Sequence, residues 1–121
     1  MAQVWSESKR ERVLAKTNGH CWYCGRVLTM SSEGWSESMF CVDHATSKHK
    51  GGNNKIDNLL PSCFACNSGS KKGLTVEEYR ERLGYDLIGA PIFSQEQREW
   101  LEINGIEIPE PAPIVFWGEL Q

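Results

Sequence analysis

Four cysteines stand in two Cys-x-x-Cys pairs, Cys21/Cys24 and Cys63/Cys66, and the dipeptide Asp43-His44 lies between them. Two close thiol pairs brought together by a fold make a tetrahedral zinc site. Such a site uses all four coordination positions for protein sulfur, so its zinc holds structure and does no chemistry itself. Thirty-eight residues separate Cys24 from Cys63, against roughly 15–20 in compact zinc ribbons. A substantial insert therefore sits between the knuckles. The rival use of Cys-x-x-Cys, redox exchange, goes with a thioredoxin-like βαβ context that the sequence lacks.

The insert carries the reactive residue types. Asp43 is a hard oxygen ligand suited to Mg²⁺ or Mn²⁺. His44 can take a proton from water near neutral pH. Neighbours on a regular strand point to opposite faces, so both serve one site only where the chain bends, as it can at a strand end.

The surrounding elements follow from capping and turn residues. Residues 6–18 read as a helix with Ser6 as N-cap and Gly19 as terminator. Residues 27–30 read as a short strand, and residues 39–43 as a second that ends at Asp43-His44. Gly51-Gly52 marks a loop. Residues 56–60 return toward the hairpin, and Pro61 closes that stretch. A helix starting near Phe64 carries Asn67. Thr75-Val-Glu-Glu78 is a capping box whose helix runs about ten residues to Gly84, and Ser94-Gln-Glu-Gln97 opens another that ends near Gly105. Residues 109–113 read as extended polyproline II, and residues 114–117 as a short apolar strand. Leu83, Leu87, Ile88, Ile92, Phe93, Trp100, Leu101 and Ile103 are expected to pack these last helices against the core. Phe116-Trp117 is expected to pack as well.

The 121 residues suit a single domain whose modest core would benefit from a structural metal. The five cysteines do not suit a closed disulfide framework, and paired Cys-x-x-Cys points to metal in a reducing, cytoplasmic setting. The fifth, Cys41, reads as a buried free thiol. The N-terminus lacks the apolar stretch of a secretory signal, and no apolar run is long enough to span a membrane. Net charge is −3, but residues 1–73 carry +4 and residues 74–121 carry −7. Only the cysteine-bearing part suits a phosphate-rich partner.

The ordered set of residues resembles the HNH endonuclease family. Its pieces stand here as Cys21-Trp-Tyr-Cys24, Val42-Asp43-His44, Gly51-Gly52, Asn58-Leu59, Cys63-Phe-Ala-Cys66-Asn67 and Lys71-Lys72, covering about residues 12–73. The resemblance implies an α+β fold: a ββα-metal (His-Me finger) motif stapled by the four-cysteine zinc, with flanking helices and an acidic extension over residues 74–121. It implies that His44 is the general base and Asp43 a ligand of a catalytic Mg²⁺ or Mn²⁺. Asn67 takes the third signature position, where many members have His, as a second ligand of that ion. Asn58 would bridge backbone groups across the loop and hold His44 in orientation. The implied reaction is hydrolysis of DNA phosphodiester bonds, leaving 5′-phosphate and 3′-hydroxyl ends. The family's lysine commonly falls three residues after the last Asn; here that place is Ser70, with Lys71 and Lys72 beyond.

Lys48, His49, Lys50, Lys55, Lys71 and Lys72 flank the site and suit a phosphate backbone better than base readout. His20 reads as packing beside the zinc, and Trp22 and Tyr23 as its shield. DNA is the expected partner, with a homodimer or a larger DNA-processing complex as further associations. The rival readings are a zinc-stapled module that docks DNA or protein without cutting it, and a subunit active only within a larger machine.

Overall fold

The computed structural model describes residues 4–121. These form two compact units, the first comprising residues up to Val76 together with Val115–Gln121, the second Glu77–Ile114.

The first unit begins with helix α1 (Glu7–Ala15). The Ser6 hydroxyl accepts from the Lys9 N–H, filling one of the donors a helix start leaves open. Val13 is its buried residue. At the C-terminal end Lys16 donates from Nζ to the carbonyl oxygens of Ile56 and Leu59, each at 2.6 Å, and so ties α1 to the chain entering the second strand. Burial holds that ammonium below the ordinary lysine value.

Strands β1 (Phe40–His44) and β2 (Leu59–Cys63) pair antiparallel, with Asp43 opposite Leu60 and His44 opposite Leu59. The expected strand at residues 27–30 is only two isolated bridges, His20 with Val27 and Thr29 with Met39. Leu28 is buried in the core while Val27 is exposed, so the stretch is anchored by one side chain without a continuous ladder. Pro61 does not close the return: it lies inside β2 opposite Val42. A two-stranded sheet has only edge strands, where a missing N–H costs no ladder bond. The Pro61 carbonyl accepts from the Trp22 N–H at 2.8 Å, which links β2 to the first knuckle.

After β2 the chain enters a π-helix over Ala65–Lys71. The Lys72 N–H donates to the Asn67 carbonyl at 2.8 Å, a five-residue step. Residues 114–117 form no strand. Phe116 is 2 % exposed and meets Tyr23 edge-on at 4.9 Å between ring centroids. The Gly118 N–H donates to the Trp22 carbonyl at 2.7 Å, and a side chain at Gly118 would strike the Trp22 ring. The chain end thus packs on the first knuckle.

In the second unit, α2 (Val76–Leu87) runs through Gly84. A Cβ there would lie 2.5 Å from the Ala112 carbonyl oxygen, so this glycine admits a crossing chain and does not end the helix. Helix α3 (Gln95–Ile103) starts at the Ser94 capping box, and Gly105 follows it at φ +70°. Tyr79 and Tyr85 are buried. Of the apolar residues expected in the core, Leu87, Ile88, Ile92, Trp100 and Ile103 are exposed. Leu87, Trp100 and Ile103 lie on the helices, Ile88 and Ile92 on the segment between them.

Candidate metal centre and nuclease site

The Sγ atoms of Cys21, Cys24, Cys63 and Cys66 all lie within 4.8 Å of one another. A tetrahedron with zinc–sulfur bonds of about 2.3 Å has edges of roughly 3.8 Å, and Cys24 and Cys63 stand 3.8 Å apart. The knuckle turns bring this about. The Gly25 N–H donates to the Cys21 carbonyl at 3.0 Å with Gly25 at φ +79°, and the Cys66 N–H points to the Cys63 sulfur at 3.4 Å.

The thiols of the cluster act strongly on one another. A hydrogen bond from Cys66 pulls the Cys21 thiol down to about 4. Burial pushes Cys63 up to about 11. Cys66 is pushed up, first by the hydrogen bond to Cys21 and then by burial. A divalent ion supplies positive charge that favours the thiolate forms of its sulfur ligands. The four cysteines could therefore hold a metal such as zinc.

At the far end of β1, Asp43 is 4 % exposed. Its Oδ2 accepts from the Tyr23 hydroxyl at 2.5 Å and pairs with Lys71 Nζ at 3.1 Å; its Oδ1 accepts from the same ammonium at 3.2 Å. Lys71 also donates to the His44 carbonyl at 3.0 Å. Burial pushes the Asp43 carboxyl up, opposed by Lys71 and Tyr23.

Lys71 is only 1 % exposed, which corrects its assignment as a phosphate contact: its charge is committed to Asp43. The π-helix explains how it gets there. An α-helix would carry the residue three places after Asn67 through about 300°, whereas the wider π-turn carries the fourth residue to a similar angle. The extra residue before the lysine is absorbed, and Lys71 faces inward.

His44 projects from the other face of the strand end. Its Nε2 lies 2.8 Å from Asn54 Oδ1, and its ring meets Trp5 at 5.7 Å between centroids, tilted by 47°. An amide oxygen only accepts, so this contact favours the tautomer with the hydrogen on Nε2 and the lone pair on Nδ1. Sequence reasoning missed Asn54. Its only signal was a second Asn after the double glycine, ten residues from the histidine.

The loop that delivers Asn54 is held by Asn58. The Asn58 Oδ1 accepts from the Thr46 N–H at 2.9 Å, and its Nδ2 donates to the carbonyls of Thr46 at 2.9 Å and Asn53 at 2.8 Å. A Cβ on Gly52 would lie 1.8 Å from the Thr46 carbonyl oxygen, so the close approach excludes any side chain there. Lys48, His49, Lys50 and Lys55 are exposed on this loop, and Lys72 is exposed just past the π-helix.

A cavity of about 650 Å³ opens beside His44, walled by Trp5, Arg10, Phe40, Cys41, Asn67 and His44 among others. Asn67 and His44 thus both line it, while Asp43 is buried and is not among its lining residues. Cys41 was read as a buried free thiol. It is half-buried instead, on the cavity wall, with its thiol donating to the Met39 carbonyl at 3.7 Å. The carboxylate of Asp43 and the amide oxygen of Asn67 are donors of the hard kind that Mg²⁺ and Mn²⁺ take. Both Asp43 oxygens are engaged by Lys71 and Tyr23, so an ion held there would have to draw the carboxylate away from the Lys71 ammonium.

His20 stacks on Trp117 at 4.7 Å with 23° between planes, and Tyr23 supports Asp43, so the aromatic residues around the first knuckle serve packing. No helix among the described residues is long and apolar enough to cross a membrane. Residues 21–73 match the model of the HNH endonuclease family. A search of the curated proteins found no match to the chain.

Proposed function

We propose that this protein, whose residues 21–73 match the HNH endonuclease family model, hydrolyses DNA phosphodiester bonds with His44 as the general base. The observation that carries the reading is the pairing of His44 Nε2 with Asn54 Oδ1 on the wall of a cavity that also holds Asn67. Asn54 is a positioning residue. It favours the tautomer in which Nδ1 takes the proton from the attacking water.

Asp43 and Asn67 would hold one Mg²⁺ or Mn²⁺. When bound, that ion supplies charge stabilisation on the phosphate and the leaving 3′ oxygen. Lys71 holds the end of β1 through Asp43 and the His44 carbonyl, and so keeps the base at a fixed height over the cavity. The four-cysteine zinc pins both ends of the hairpin. The exposed Lys48, His49, Lys50, Lys55 and Lys72 meet flanking phosphates without reading sequence. The products are a 5′-phosphate and a 3′-hydroxyl.

Supercoiled plasmid incubated with Mg²⁺, with Mn²⁺ and with EDTA tests this. Relaxation or linearisation with either ion, abolished by EDTA, supports a metal-dependent endonuclease. DNA that is shifted in a gel but left intact under every condition would sink the reading in favour of a binding module.

One observation favours action within a larger DNA-processing assembly. Leu87, Ile88, Ile92, Trp100 and Ile103 of the second unit are exposed, and exposed apolar side chains that form a contiguous patch mark a partner surface. Co-elution with a partner, together with activity only in its presence, would support that second reading.

A further inference from the structure

The wall of the cavity beside His44 is unlike that of a phosphate track. Phosphate readers present lysine, arginine and backbone N–H groups. Here the lining includes Trp5, Met39, Phe40 and Val42, and Arg10 is its arginine, the guanidinium 5.4 Å from the Phe40 ring centroid. At about 650 Å³ the cavity lies within the roughly 300–1,000 Å³ of sites that enclose a small organic ligand. It therefore admits a nucleoside-sized group.

Trp5 is half-buried and adjoins the proposed base, with ring centroids 5.7 Å from those of His44. Lys9 Nζ lies 5.5 Å from the Trp5 ring on a flexible stem, free to swing to a phosphate when a planar group takes the ring. In a duplex each base is already stacked on its neighbours, so an aromatic side chain beside the scissile phosphate has no base face to meet. Once the base is unpaired, it has one.

We propose that this cavity takes an unpaired nucleobase next to the scissile phosphate, with Trp5 as its stacking platform, so that the preferred substrate is single-stranded or locally unpaired DNA. This rests on the phosphodiester-hydrolysis reading. Phe40 and Met39 enclose the base from the strand side, and Arg10 and Lys9 meet the phosphates on either side of it.

One oligonucleotide sequence carrying 2-aminopurine, prepared as single strand, as full duplex and as duplex with a short unpaired bubble, tests the proposal in the full chain. Cleavage is measured with Mn²⁺, and 2-aminopurine emission without added Mg²⁺ or Mn²⁺. The wild type should cut the unpaired forms with a kcat/KM at least roughly ten-fold above the duplex, the scale of one aromatic–base stack. Trp5→Ala should bring that ratio near one, and Trp5→Phe should restore most of it. Emission should be quenched on binding by the wild type and by Trp5→Phe, and not by Trp5→Ala.

Equal cutting of duplex and unpaired DNA by the wild type, or a preference that survives Trp5→Ala, would overturn the proposal. Quenching that depends on Trp5 without cleavage of any substrate would keep the base site and remove the hydrolysis reading. Neither quenching nor cleavage would remove both.

Discussion

Asn54 Oδ1 lies 2.8 Å from Nε2 of His44, an acceptor placed to favour the tautomer with its hydrogen on that nitrogen. The two residues are ten apart in sequence, and the intervening loop is shaped by Asn58 and Gly52. The reactivity of the histidine thus depends on a loop that does not itself touch the proposed reaction. Asn54→Ala should lower kcat by about ten- to a hundred-fold, a part of what a general base contributes, with little change in KM. Asn54→Asp, which keeps an acceptor for Nε2–H, should recover much of that rate. Single-turnover cleavage of the three proteins measures it, and an Asn54→Ala variant as fast as the wild type would contradict the orienting role.

Gly52→Ala tests the loop itself. A Cβ placed 1.8 Å from the Thr46 carbonyl oxygen forces the turn apart, and with it the Asn58 bridge. A substitution that its backbone position cannot accept costs more than about 1 kcal/mol, which corresponds to a fall in Tm of several degrees, on the order of 4 °C. Activity should fall by a larger factor than folding stability explains, because the loop delivers Asn54. Thermal melting and cleavage rates on one preparation separate the two effects.

The Asp43–Lys71 pair predicts a pH dependence of stability. Lys71→Met leaves the Asp43 carboxylate buried without its cation, a change that costs on the order of 3 kcal/mol at neutral pH. Burial already holds the Asp43 carboxyl above its ordinary value, and loss of the ammonium raises it further. A carboxyl raised on folding contributes stability that is present below its unfolded value and is lost as pH rises through the folded one. The deficit of Lys71→Met should therefore be small at pH values below the ordinary aspartate range and grow as pH rises above it. Adding Asp43→Asn should recover part of the loss. Urea unfolding across pH tests this; a deficit that is largest in acid would contradict the pairing.

The four-cysteine cluster predicts about one tightly held zinc per chain. Cys24→Ser or Cys66→Ser should lose it, and strong chelation should unfold the first unit, because binding energy of a structural zinc is folding energy. Cys41→Ser should keep full zinc content, since Cys41 lies outside the cluster. Elemental analysis beside circular dichroism reads both. Zinc lost from Cys41→Ser and retained in Cys66→Ser would contradict the ligand assignment.

Much of this arrangement was legible in the sequence because close ligand pairs act locally. The two knuckles, the strand ending at Asp43-His44, the Ser6 and Ser94 caps and the double-glycine loop all follow from neighbours within a few residues. What escaped depends on how segments meet. The inward face of Lys71 needs the π-turn, and no propensity marks an extra residue in a helix. Pro61 looked like a terminator because proline punctuates most chains, yet in β2 it sits on an edge with no ladder bond to lose. Gly84 looked like a helix end, yet it makes room for Ala112. Asn54 and Trp5 reach His44 only through the tertiary path of a loop and of the segment before α1. The exposed Trp100 and Ile103 carry a helical apolar spacing, which marks a face and not what covers it.

The most direct test of the account is supercoiled-plasmid cleavage by His44→Ala beside the wild type, at matched zinc content and with Mg²⁺ or Mn²⁺. Removal of the general base should slow cutting by about a hundred-fold or more while DNA binding persists. Cleavage by His44→Ala at the wild-type rate, from a preparation free of other nucleases, would contradict the assignment of His44 as the base.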